Sequence, residues 1–139
     1  MQKLDNEILW ENNNCLTYSF DKRIFFKDMY SIFLLLIDKN IKIGDGSIIN
    51  LDDEYPLCSV FNNARGMVYH SEESTNQYVE LATIDCFYKD VWFRIGIRFP
   101  EQTIEFITDK NVDIQKKTGL NLDELVYEIE LLGEKKKIK

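Results

Sequence analysis

Val91-Trp92-Phe93-Arg94-Ile95-Gly96-Ile97-Arg98-Phe99 is the stretch whose reading decides the fold. Val91, Phe93, Ile95, Ile97 and Phe99 alternate with Trp92, Arg94, Gly96 and Arg98, and a strand sends successive side chains to opposite faces. One face is therefore built for a core, while the other carries a tryptophan and two arginines. Working outward, Gln77 to Thr108 reads as three strands, with turns at Lys89-Asp90 and Pro100-Glu101-Gln102.

Upstream of this block, Phe26, Met29, Tyr30, Phe33, Leu36 and Ile37 recur every three or four residues. That spacing predicts an amphipathic helix from about Lys22 to Asp38, with Asp21 as its cap. Before it, Cys15 to Phe20 is a strand candidate, and Ile8 to Trp10 is either a strand or part of a short helix. Between the helix and the three-strand block, Ile41 to Ile43 and Ser47 to Leu51 flank a turn at Gly44-Asp45-Gly46. Leu57 to Phe61 and Met67 to His70 read as a hairpin closed by a five-residue loop containing Gly66. Downstream, a short helical turn is expected around Val112 to Lys117. A helix then follows, capped by Asn121, with a stripe of Leu122, Leu125, Val126, Ile129 and Leu132 and a stop at Gly133. The order predicts an α+β fold: one antiparallel sheet of about five to seven strands, with a helix from the N-terminal half and a C-terminal helix packed on it. We expect a single domain over residues 1–133 and a basic tail over 134–139.

At 139 residues with 45% hydrophobic and 13% aromatic content, the chain is composed like a packed globule rather than a disordered segment. Its formal net charge is −7, and residues 134–139 hold four Lys and one Glu, so the body up to Gly133 carries −10. Such a field repels phosphates and attracts basic surfaces, which disfavours direct nucleic-acid binding and favours a basic protein partner. Cys15, Cys58 and Cys86 are odd in number and form no CxxC pair, which speaks against a disulfide framework or a zinc site. The start of the chain shows no signal-peptide pattern, and the longest apolar run, Ile32 to Ile37, is too short to span a bilayer. A soluble, cytoplasmic protein without membrane attachment is expected.

No motif compels a chemistry. His70 is the sole histidine; near Glu72 and Glu73, and within reach of Asp85 or Cys86 in a folded sheet, it is the one candidate for a Cys–His pair. The plainer reading is a strand end beside an acidic loop. Asp45, Asp52, Asp53 and Glu54 lack the alternating positions of a calcium loop, and Gly44-x-Gly46 is too short to cradle a phosphate. No cofactor and no metal are expected. Asp85 lies inside an apolar strand and is expected to face outward. Trp92, Arg94 and Arg98 then form either a docking patch or a covered face neutralised by Glu80 or Glu105. With Asp85, Asp90, Glu101 and Glu105 on or beside the same meander, these seven residues are the candidate partner-binding set.

Size, acidity and the order of helix, β-meander and terminal helix resemble those of small acidic immunity proteins that neutralise bacterial toxins, including those of contact-dependent growth inhibition. The likeness spans the whole chain and rests on no signature residue, so it transfers no site. It implies a non-enzymatic inhibitor that binds one cognate toxin, often a basic nuclease, and occludes its groove. The alternatives are a small enzyme or ligand-binding domain around His70 and Cys86, a phage inhibitor of a host defence nuclease, and an acidic secretion chaperone.

Overall fold

A computed structural model describes residues 13–20, 24–44, 47–51, 58–61, 67–68, 78–98 and 101–137. Eight strands occur among them: β1 (Asn13–Ser19), β2 (Lys42–Ile43), β3 (Ile48–Leu51), β4 (Cys58–Phe61), β5 (Met67–Val68), β6 (Val79–Tyr88), β7 (Val91–Arg98) and β8 (Thr103–Asp109). Three helices accompany them: α1 (Phe26–Asp38), α2 (Ile114–Thr118) and α3 (Leu122–Lys137). The strands form an antiparallel sheet in the order β1-β8-β7-β6-β3-β4-β5, with β2 beside β3 along β6. The expected α+β architecture is what the chain adopts. Its centre is the five-strand run from β1 to β3, extended by the short β4–β5 hairpin.

The hairpin β6–β7 sets the register of everything else. Tyr88 pairs with Val91 across Lys89 and Asp90, both of which have positive φ. Such two-residue turns match the twist of the strands they join. From that turn Cys86 lies opposite Phe93, Ile84 opposite Ile95 and Ala82 opposite Ile97. β8 continues the layer with Phe106 opposite Ile95 and Ile104 opposite Ile97. Every one of these residues is buried. A register shift near Asn50 and Leu51 marks a bulge in β6. Strict alternation would turn Val79 away from the core, yet Val79 is fully buried beside exposed Glu80.

Both long helices cover this one face. Met29, Ile32, Phe33 and Leu36 of α1 and Leu122, Leu125, Val126 and Ile129 of α3 close over Phe93, Ile95 and Phe106 in a single core cluster. Each large side chain so buried contributes about 1.5–3 kcal/mol before entropy. The helices also meet each other: the Lys39 ammonium lies 3.0 Å from the Glu128 carboxylate.

Helix ends follow local chemistry. At the start of α1, the Phe25 N–H donates to the Asp28 carboxylate at 3.1 Å, placing an acid in the first turn where the helix dipole favours it. The expected start near Lys22 is thus later, at Phe26; Asp21 lies outside the described residues. Asn40, at φ +68°, ends α1, with the Ile41 N–H donating back to the Leu36 carbonyl. Asn121 caps α3 by accepting from the Glu124 N–H at 3.0 Å. The expected stop at Gly133 does not occur: α3 runs through it to Lys137. A helical glycine costs only about 1 kcal/mol relative to alanine, and the lysines after it are good helix formers. Residues 134–137 of the expected tail are accordingly helical. The candidate strand at Ile8 to Trp10, the loops at Asp52 to Pro56 and Ser71 to Asn76, and His70 lie outside the described residues.

Candidate functional site

Opposite the helices, the sheet's outer face gathers five of the seven candidate residues. Asp85 on β6, Trp92, Arg94 and Arg98 on β7 and Glu105 on β8 share this face because each has the opposite parity to the core residues beside it. Asp90 and Glu101 do not join them. Both are exposed in the turns at opposite ends of β7, about 25 Å apart at the rise of an eight-residue strand. Among the described residues neither enters an ion pair.

Asp85 is the best-anchored of the set. Its backbone N–H donates to Ser47 Oγ at 3.0 Å, and its carbonyl accepts from the Gly44 N–H at 2.7 Å. Ser47 Oγ in turn donates to the Gly44 carbonyl at 3.0 Å, so the turn between β2 and β3 is stitched onto β6 at this residue. Directly across the ladder, Arg94 Nε donates to Asp85 Oδ1 at 2.7 Å, with both side chains only about 14% exposed. The second arginine is held more loosely. Glu105 stands opposite Gly96 and reaches diagonally to Arg98, Oε1 to Nε 3.6 Å. The Glu105 carboxylate lies over Gly96: a Cβ there would stand 3.6 Å from Oε1, an ordinary contact.

Trp92 is half-buried. Its ring lies 4.7 Å, centroid to centroid, from Phe87, its cross-strand partner. A Cβ on Gly44 would lie 3.6 Å from the same ring. Phe87, and Ile107 between Arg94 and Cys15 in the register, belong to this face and were not singled out from sequence. The two-residue turn contained the signal, since it forces Phe87 opposite Trp92 and Asp85 opposite Arg94.

The sheet face is not a display of unopposed carboxylates, because Asp85 and Glu105 are each tied to an arginine beside them. The face carries an aromatic pair near the β6–β7 turn, then the largely buried Arg94–Asp85 pair, and about 20 Å along β7 from Trp92 the looser, more exposed Arg98–Glu105 pair.

Cys86 lies on the other side of the sheet, fully buried, its thiol donating to the Ile84 carbonyl at 3.6 Å. Burial, and then the charge of Asp85, push its pKa well up. A thiol kept protonated and away from solvent is a poor nucleophile; His70, the other half of the alternative site, lies outside the described residues. Among the described residues no group of three or more His, Cys, Asp or Glu side chains is placed to hold a metal ion, and no helix is long and apolar enough to cross a membrane. Comparison with protein-family models, curated proteins and solved structures finds no match for this chain.

Proposed function

We propose that this protein is a non-enzymatic inhibitor that binds and blocks a basic protein partner, in the manner of an immunity protein against a nuclease toxin. The observation that carries the reading is the outer face of β6–β7–β8. A half-buried Trp92–Phe87 pair stands there near the β6–β7 turn, with Arg94–Asp85 held tightly beside it and Arg98–Glu105 more loosely paired toward the other end of β7. Tryptophan and arginine dominate the energetics of protein interfaces, and side chains already held in place lose little freedom on docking. The chain's charge of −7 draws a basic partner in and hastens encounter. Asp90 and Glu101, exposed at the two ends of β7, supply carboxylates at the rim, where charge governs association rate and salt dependence.

The test is capture of the partner from the source cells by tagged full-length chain, its identification by mass spectrometry, and calorimetry on the recombined pair. Trp92→Ala is expected to weaken binding thirtyfold or more, the scale of a hot-spot residue. Glu101→Lys is expected to slow association and flatten its salt dependence. A partner bound equally well by both variants removes this face from the interface. A captured acidic protein, or a turnover abolished by His70→Ala, overturns the inhibitor reading itself.

A further inference from the structure

Strand β1 ends the sheet, and among the described residues it has a neighbour on its β8 side alone. An edge of this kind presents unpaired backbone N–H and C=O groups, which proteins ordinarily guard with lysine, proline or a bulge. β1 has none of these. Asn13-Asn14-Cys15-Leu16-Thr17-Tyr18-Ser19 contains no charge and no proline, and its seven pairs with β8 run without a register shift. Leu16 has the parity of the core, opposite Phe106, yet remains 36% exposed.

Beside Leu16 lies a cleft of about 170 Å³. Leu16, Phe106 and Ile114 give it apolar walls, and Asn14, Thr108, Asp113 and Gln115 complete the lining. A cavity of about 150 Å³ takes a benzene-sized group. Around the edge, Asp109 stands opposite Asn13, Asp113 lines the cleft, and the Asp123 carboxylate lies beside the Tyr18 hydroxyl. Lys110, Lys116 and Lys117 are exposed nearby, so local charge does not choose the occupant. The charge of the whole molecule does. A second copy would bring −7 against −7, whereas a basic strand is attracted.

We propose that β1 is a docking edge for an extended segment of a basic protein, whose backbone adds a strand beside β1 while an apolar side chain enters the Leu16–Phe106–Ile114 cleft. This is strand addition, in which main-chain hydrogen bonds give affinity and side-chain pockets give specificity. It rests on the reading of the protein as a binder of basic partners, and it adds a second contact surface to the outer face.

The experiment titrates the isotope-labelled full chain with acetyl-Lys-Val-Lys-Ile-Lys-Val-Lys-amide, followed by amide NMR. Binding is expected to shift the amides of residues 13–19, slow their hydrogen exchange, and weaken as salt rises. The glutamate counterpart, acetyl-Glu-Val-Glu-Ile-Glu-Val-Glu-amide, is expected to bind at least tenfold more weakly. Cys15→Lys and Thr17→Lys, both at exposed positions, are expected to reduce affinity for the lysine peptide at least tenfold with the fold intact. Any of four results overturns the proposal: no binding, equal binding of both peptides, shifts centred on Trp92 instead, or outward amides of β1 already protected in the free chain. Light scattering that shows a dimer through β1 overturns it in favour of self-pairing. Peptide binding here and partner capture at Trp92 are separate readouts, so either failure is recognised on its own.

Discussion

Removing the Asp85 carboxylate tests the account of the outer face most sharply. The two ion pairs there look alike on paper. At an effective dielectric of 20, a 2.7 Å pair is worth about 6 kcal/mol of gross attraction and a 3.6 Å pair about 5. Distance therefore does not separate them; burial does. Arg98 is 35% exposed, so water screens its pair with Glu105 and leaves it worth about 0.2–1 kcal/mol. Arg94 and Asp85 are 13% and 14% exposed. Deleting the Asp85 carboxylate removes a close partner of Arg94 from a place that water screens poorly, at a cost of about 3 kcal/mol, the lower end of the range for breaking buried pairs. The backbone hydrogen bonds of Asp85 to Ser47 and Gly44 survive in Asp85→Ala, so the side chain alone is tested. For a chain of this length 1 kcal/mol moves the midpoint by about 3–4 °C. Asp85→Ala should lose about 10 °C and Glu105→Ala about 3 °C or less. Urea denaturation of Asp85→Ala, Arg94→Ala and the double variant should return a coupling energy of about 2 kcal/mol or more. If Asp85→Ala and Glu105→Ala fall within about 0.5 kcal/mol of each other, burial is not what sets the strength of these pairs.

Four further outcomes follow from the same geometry. Lys89→Asn with Asp90→Gly relieves two positive-φ residues and should raise stability by about 1 kcal/mol in urea melts, while weakening capture of the partner if Asp90 contributes at the rim. Gly96→Ala fills a strand position whose new Cβ meets only ordinary contact; calorimetry should show a gain of about 0.5 kcal/mol, and a loss above 1 kcal/mol would contradict that spacing. Cys15 is exposed and Cys86 buried, so iodoacetamide with mass spectrometry should label Cys15 in the native protein and Cys86 only on unfolding. The Cys86 pKa is raised in the fold by burial and then by Asp85. The folded state therefore holds that proton more tightly than the unfolded state does, so its contribution is complete below the unfolded value of about 8.5 and is lost as pH rises above it. Melts between pH 8 and 10 should decline less steeply for Cys86→Ala than for the native chain.

How much of this was legible beforehand follows the range of the forces involved. The alternation from Val91 to Arg98 and the helical spacing from Met29 to Leu36 were plain, because each periodicity is imposed by a single element against one core. The partner of Arg94 was legible too, since a two-residue turn at Lys89-Asp90 fixes Asp85 opposite it. Placement on neighbouring strands pointed instead to Glu80 and Glu105, and among the described residues only Glu105 of the two engages an arginine, Arg98. The bulge that exposes Glu80 depends on how β3 meets β6, a pairing distant in sequence. Helix α3 passing through Gly133 reflects a local penalty too small to stop a favourable run.

By itself the sequence determined the α+β class, the faces of β7 and most of the buried stripes of the long helices, because each is written in a repeat a few residues long; Tyr30, expected in the α1 stripe, is instead half exposed, and Ile32 is buried there. Only the tertiary structure decided that β1 closes the far side of β8, that Cys86 is sealed beneath the helices, and that the bulge in β6 leaves Glu80 exposed. Those outcomes depend on which distant strands pair and in what register, and loop closure and core packing settle that choice for the chain as a whole.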